Sequence, residues 1–254
     1  MKKTFFASDF HLGISNSQER EKTIIRWLDQ IAPEAREIFL VGDVFDFWFE
    51  YRQAIPKGYV RLLGRLAALS DSGIPMHFFT GNHDMWMFKY FEEELGIQTH
   101  RAPIIRTIDQ KKIMIGHGDG LGPGDYGYKF LKKVFNSNWA QFLFNWIHPD
   151  LGIPLASFWS VQSRSSQSHP QSFFGPEKEW LIQYCLEVLQ KENFDFFIFG
   201  HRHLPIDYTL NANGSRYLNL GEWIHNNSYA ELYDGNVTLS FFENPNGKIF
   251  GNQL

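Results

Sequence analysis

A chain of 254 residues is long enough to bury a full core, as one domain or as one domain carrying a large insertion. A hydrophobic share of 43% beside 20% charge marks a globular protein, and a net charge of -4 offers no overall attraction to nucleic acid or an anionic membrane. The lone Cys185 excludes an internal disulfide, and Leu181, Leu186 and Val188 around it predict a packed helix face.

The basic N-terminus meets Asp9 before a secretory apolar core could form, and no apolar run reaches spanning length, so the expected location is the cytoplasm. Residues 3 to 8 read as a strand ending at Ser8-Asp9-Phe10-His11. Ile24, Ile25, Leu28 and Ile31 recur at helical spacing over 18 to 31, and Pro33 stops that helix before a second strand, 37 to 42. This strand is apolar on both faces, as in a parallel sheet covered by helices, and ends at Gly42-Asp43. A helix over about 57 to 70, with Val60, Leu63, Ala67 and Leu69 inward, leads to strand 75 to 79 and to Gly81-Asn82-His83-Asp84. A short helix from Met87 to Leu95 precedes a hairpin, 104 to 108 with 112 to 115, turned by Asp109-Gln110 and ending at Gly116-His117-Gly118-Asp119. Beyond an interruption at about 120 to 175, Pro176 opens a helix to about Lys191, and strand 194 to 199 ends at Gly200-His201-Arg202-His203. Short strands follow at 206 to 210, 217 to 220, 229 to 233 and 237 to 241, with Asn213-Gly214 and Asp234-Gly235 as turns. The fold class is α/β, with residues 1-254 as one domain and 120-175 as a helical insertion within it.

Five strand ends thus carry Asp9 and His11, Asp43, Asn82 and His83, His117, and His201 and His203. Each alone reads as a structural residue; together they form a mixed N/O set that suits Mn²⁺, Fe²⁺ or Zn²⁺. A two-metal site needs a bridging anion between cations roughly 3.5 to 4 Å apart, and Asp43 is the natural bridge.

Asp9-x-His11, Gly42-Asp43-x-x-Asp46, Gly81-Asn82-His83-Asp84, Gly116-His117-Gly118-Asp119 and Gly200-His201-x-His203 resemble, in order, the calcineurin-like metallophosphoesterases. The resemblance implies a four-layer αββα sandwich and two divalent ions, Mn²⁺ foremost. It places Asp9, His11, Asp43 and His203 on one ion and Asp43, Asn82, His117 and His201 on the other. His83 stays off the metals as a phosphoryl contact or proton donor, oriented by Asp84, for which a helix N-cap before Met85 is the competing role.

His117-Gly118-Asp119-x-Leu121-x-x-x-Asp125-x-x-Tyr128, Ser8-Asp9-Phe10-His11-Leu12 and Asp43-x-Phe45-x-x-Trp48 resemble the UDP-2,3-diacylglucosamine hydrolases of the lipid A pathway, with His83 where many members carry Arg. That resemblance implies a lipid-linked nucleotide sugar as substrate, with Asp125 and Tyr128 as contacts to the sugar headgroup and Arg164 as a phosphate contact. A phosphoesterase for soluble nucleotides or phosphoproteins and a metal-free binding scaffold are the other readings. The sequence marks no protein partner.

Within 126 to 176, Lys129, Lys132, Lys133 and Arg164 face the single acid Asp150, a net +3 in a chain of net -4. Phe135, Trp139, Phe142 and Trp146 form one helical stripe, and Phe130, Leu131, Val134, Leu143 and Ile147 a second. In one reading, one side packs on the core and the other on a neighbouring helix containing Phe158 and Trp159. In the alternative, that second side lines an acyl-chain chamber and docks at the cytoplasmic face of the inner membrane, with lysines on anionic headgroups.

Overall fold

The computed structural model describes residues 2–14, 16–123, 126–166 and 172–251, without the side chains of 157, 159 and 161–166. In chain order the elements are β1 (Lys3–Ala7), α1 (Ser17–Ile31), β2 (Ala35–Val41), α2 (Val60–Asp71), β3 (Met76–Phe79), α3 (Tyr90–Leu95), β4 (Gln98–His100), β5 (Ile104–Ile108) and β6 (Lys111–Gly116). There follow α4 (Tyr126–Phe135), α5 (Asn138–Asn145), α6 (Pro149–Ser166), α7 (Trp180–Leu189), β7 (Phe196–Phe199), β8 (Pro205–Thr209), β9 (Arg216–Leu220), β10 (Ser228–Tyr233), β11 (Asn236–Phe241) and β12 (Phe250–Gly251).

The strands form two six-stranded sheets, ordered β11-β10-β1-β2-β3-β4 and β12-β8-β9-β7-β6-β5. The apolar runs of β1, β2, β3, β6 and β7 are buried on both faces, which explains their lack of polar alternation. Three clusters fill the layers. Phe5, Leu40 and Phe78 meet Ile24, Leu28, Leu62 and Leu66 of α1 and α2 outside the first sheet. Phe6, Phe39, Val41, Ile113, Ile198 and Leu218 lie between the sheets, and Met114, Phe197 and Phe199 meet Leu181, Ile182 and the buried Cys185 of α7 outside the second. The architecture is the expected αββα sandwich. Inside each sheet β1, β2 and β3, and β6 and β7, run parallel. Their carboxyl ends are where ligands gather in such folds.

Some local expectations give way. Val60 does not point inward; it is exposed, and Leu62, Leu63, Leu66 and Leu69 are the buried set, because the apolar residues of this segment exceed one helical face and leave its phase open. The short helix begins at Tyr90 rather than Met87, since Trp86 bridges Phe49 in an extended pairing. At Pro176 the chain makes one 3-10 turn before α7.

Among the described residues of 120 to 175 the chain forms three α-helices, α4, α5 and α6. The stripe expected from Phe135 to Trp146 is broken, because Ser137 accepts a hydrogen bond from Ala140 N and caps a new helix, α5. The residue that docks α5 on the body is Phe144, whose ring lies 4.7 Å from Phe49 and 4.8 Å from Trp86. Phe130, Trp139, Phe142, Leu143, Trp146, Leu155 and Phe158 stay exposed. Of the lysines expected at headgroups, Lys129 instead donates to Gly122 O and Lys132 pairs with Asp119, leaving Lys133 facing water.

Candidate metal centre

The loops after β1, β2, β3, β6 and β7 converge, and they do so through unusual backbone. Asp9, His11, Asp43, His201 and His203 all hold φ between 45° and 67°, the left-handed region that side chains with a Cβ rarely enter. Tight approach is built in as well. A Cβ on Gly42 (φ 84°) would sit 2.5 Å from His117 Nδ1, and one on Gly81 would collide with Asp43.

Among the described residues, side-chain atoms able to ligate a metal fall into three groups, each within 4.8 Å: Asp9 with His11, Asp43 and His203; Asp43 with His117 and His201; and His11 with Asp46 and His83. Asp43 belongs to two of them. Its Oδ2 lies 3.2 Å from His117 Nε2 and 3.9 Å from His11 Nε2, while Oδ1 accepts from His83 N at 2.8 Å. Asn82 Oδ1 stands 3.3 Å from His117 Nε2, so the amide joins the second group. His117 Nδ1 is held by Val41 O at 2.9 Å, which turns Nε2 inward, the usual way a ligating ring is oriented from behind. His201 N donates to Asp9 Oδ2 at 3.0 Å, tying the two sheets together.

The donors are arranged for cations. His11 Nε2 faces His203 Nε2 at 3.0 Å, and the buried Asp9 Oδ1 completes no hydrogen bond, although His203 Nε2 lies 3.1 Å away. The electrostatics agree. Burial pushes Asp9 and Asp43 up, yet His203 beside Asp9 and His117 beside Asp43 hold both carboxyls well below the usual range. Burial lowers His11 and His117, but Asp46 and Asp9 bring His11 to about 9, and Asp43 brings His117 to about 10. Burial and the charge of His117 push His201 down to about 3. So concentrated a field of negative charge draws protons onto imidazoles, and divalent cations meet the same demand. The clustered Asp and His side chains fit metal ions.

Asp84 does not orient His83 and caps no helix. Its Oδ1 accepts from Gly81 N at 2.7 Å and its Oδ2 from Val44 N at 2.9 Å, so it laces together the loops that carry Asp43 and Asn82. Burial, followed by the charge of Asp43, raises its carboxyl to about 7. Ser160 of α6 is one partner of His83: its Oγ lies 2.7 Å from His83 Nδ1 and donates to Asp46 Oδ2 at 2.9 Å. Asp46 was visible in its motif three residues after Asp43; nothing local signals Ser160, 77 residues from His83. Arg202, between the two histidines after β7, is anchored by a buried bidentate pair with Glu179 at 2.9 and 3.1 Å. Tyr128 donates to Asp119 Oδ2 at 2.6 Å. Asp125 and the Arg164 side chain lie outside the described residues.

Two stacked sheets that bring Asp, His and Asn side chains to the carboxyl ends of parallel strands define a metallophosphoesterase. The chain belongs to the calcineurin-like phosphoesterase family, which it matches over residues 2–205, and is a hydrolase acting on a phosphoester or pyrophosphate bond. It is 37% identical over 253 residues to the UDP-2,3-diacylglucosamine hydrolase of Porphyromonas gingivalis (strain ATCC BAA-308 / W83), covering 93% of this chain and 96% of the relative. The UDP-2,3-diacylglucosamine hydrolase of Aeromonas salmonicida (strain A449) is 26% identical over 244 residues, covering 93% and 92%. Among solved structures, Yfce, a phosphoesterase from E. coli, aligns with a TM-score of 0.45 at 14% identity, covering 95% of this chain and 100% of that one.

Proposed function

We propose that the chain hydrolyses the pyrophosphate of UDP-2,3-diacylglucosamine, giving UMP and 2,3-diacylglucosamine 1-phosphate. The observation that carries this reading is Asp43 shared between two ligand groups, in a chain similar along nearly its whole length to hydrolases named for that substrate. Asp9, His11, Asp43 and His203 would hold one divalent ion, Mn²⁺ foremost, and Asp43, Asn82, His117 and His201 a second. Bound there, the ions would neutralise phosphoryl charge and supply a water acidic enough to attack. Hydrolysis adds a hydroxyl from water to one phosphorus, and the bridging oxygen leaves with the other phosphate and takes a proton.

The protein's own groups do the positioning. His83, held at Nδ1 by Ser160 Oγ and by Asp46 O at 3.2 Å, meets a phosphoryl oxygen or protonates the leaving one. Asp84 fixes the loops on either side. Asp125, Tyr128 and Arg164 remain the proposed substrate contacts. The exposed aromatic face of α5 and the exposed Leu155 and Phe158 of α6 suit a diacyl substrate and peripheral docking at the inner membrane. Among the described residues no helix is long and apolar enough to cross a membrane.

Incubating purified protein with Mn²⁺ and either UDP-diacylglucosamine or an aryl phosphate tests the reading. UMP release from the lipid at trace enzyme is expected; turnover confined to soluble phosphoesters would replace it with the soluble-substrate alternative. His83→Ala should keep the wild-type metal content and lower kcat, and loss of metal would make His83 a ligand instead.

A further inference from the structure

The site has two unlike ends. At one, Ser160 brings α6, with its exposed Leu155 and Phe158, against His83 and Asp46. At the other, a recess of about 270 Å³ opens beside His117, walled by Phe79, Arg101, Pro103, Lys129 and Lys132. We propose that this recess is the nucleotide subsite, taking the uridine monophosphate half of the substrate while the acyl chains run the opposite way over α6. The assignment rests on the substrate reading above and adds its orientation.

Size, charge and lining each favour a nucleotide. The volume lies just below that of most ligand sites, which run from roughly 300 to 1,000 Å³, so it suits one small polar ligand and not two acyl chains. Three cations line the recess against one acid, Asp119, and that carboxylate already takes the Tyr128 hydroxyl at 2.6 Å and Lys132 Nζ at 2.5 Å. The other two cations are tethered by backbone. Arg101 donates to Met87 O with its guanidinium over Phe88, and Lys129 donates to Gly122 O. Each keeps further N–H donors, since guanidinium has five and ammonium three. Pro103 adds apolar wall for a base. A phosphate reaching His117 from this side would stand next to the second ligand group, with its nucleoside in the basic recess.

Titration calorimetry with UMP on the full-length protein, loaded with Mn²⁺ and after chelation, tests the inference. UMP should bind both forms and bind at least ten times more tightly than inorganic phosphate. Arg101→Gln and Lys129→Gln should each weaken UMP binding about tenfold in both forms, the loss of one charge-assisted hydrogen bond. Lys129→Arg should restore it, and unfolding midpoints should match the wild type. Unchanged UMP affinity in both Gln variants, no binding after chelation, or equal affinity for UMP and phosphate would each overturn the subsite. If UDP-diacylglucosamine is hydrolysed while the Gln variants bind UMP normally, the subsite fails and the substrate reading stands. If UMP binding depends on Arg101 and Lys129 but the lipid is not hydrolysed, the substrate reading fails and the recess remains a nucleotide site.

Discussion

Replacing Trp139 and Trp146 with Asp tests membrane docking at the point where the structure commits most apolar surface to water. The two side chains are 77% and 76% exposed, and neither packs into the body. At about 200 Å² per aromatic side chain, they leave roughly 300 Å² in solvent. If docking withdraws half of that, about 25 cal/mol per Å² gives about 4 kcal/mol, or roughly three orders of magnitude in partition. Exposed substitutions of this kind change folding stability by only about 0.5 kcal/mol, so the unfolding midpoint should hold. Co-sedimentation with vesicles containing anionic lipid measures the partition. Because Lys129 and Lys132 turn inward, the wild-type binding should respond weakly to salt, at about 1 kcal/mol for the one remaining lysine, Lys133. A double variant that binds vesicles within tenfold of wild type would refute the reasoning and leave the aromatic face without a membrane role.

Asp43→Ala should lose metal more severely than Asp9→Ala or His203→Ala, because it removes the carboxylate common to two ligand groups; metal analysis retaining two ions in Asp43→Ala would refute the bridge. Glu179→Ala leaves the buried Arg202 guanidinium without its bidentate partner and should cost about 3–5 kcal/mol in denaturant unfolding, with metal content falling because His201 and His203 flank that arginine. Burial, then the charges of His77 and Arg106, lowers His100 from 6.5 to about 4, so the unfolded chain binds the extra proton between those values. Its contribution is complete above pH 6.5 and lost as pH falls toward 4, and His100→Asn should flatten the stability profile across that window; parallel profiles would contradict the assignment.

What could be read from sequence followed the strength of the local pattern. Runs such as Ile38-Phe39-Leu40-Val41 are long, apolar and abruptly terminated, so both the strand and the polar residue at its end were legible. Strands β4 and β12, of three and two residues, carry too little pattern to stand out. The break between α4 and α5 did have a signal, Ser137 at a cap position, but the apolar spacing continues across it and hides it. The contact of Ser160 with His83 had none, because it depends on how α6 folds back over the site. For Asp84 the residue was legible and its task was not: sequence adjacency suggested His83, whereas the carboxylate serves three-dimensional neighbours on two loops.

The left-handed backbone at Asp9, His11, Asp43, His201 and His203 bears on how such a protein is improved in the laboratory. Each such residue opposes folding by about 1–3 kcal/mol, and five of them rival the net stability of a whole domain, about 5–15 kcal/mol. Glycine would relieve every one of these positions and delete a proposed ligand each time. A thermostability screen blind to turnover would therefore climb toward inert variants, and its best melting temperatures would map the proposed ligands as sharply as any loss-of-function scan.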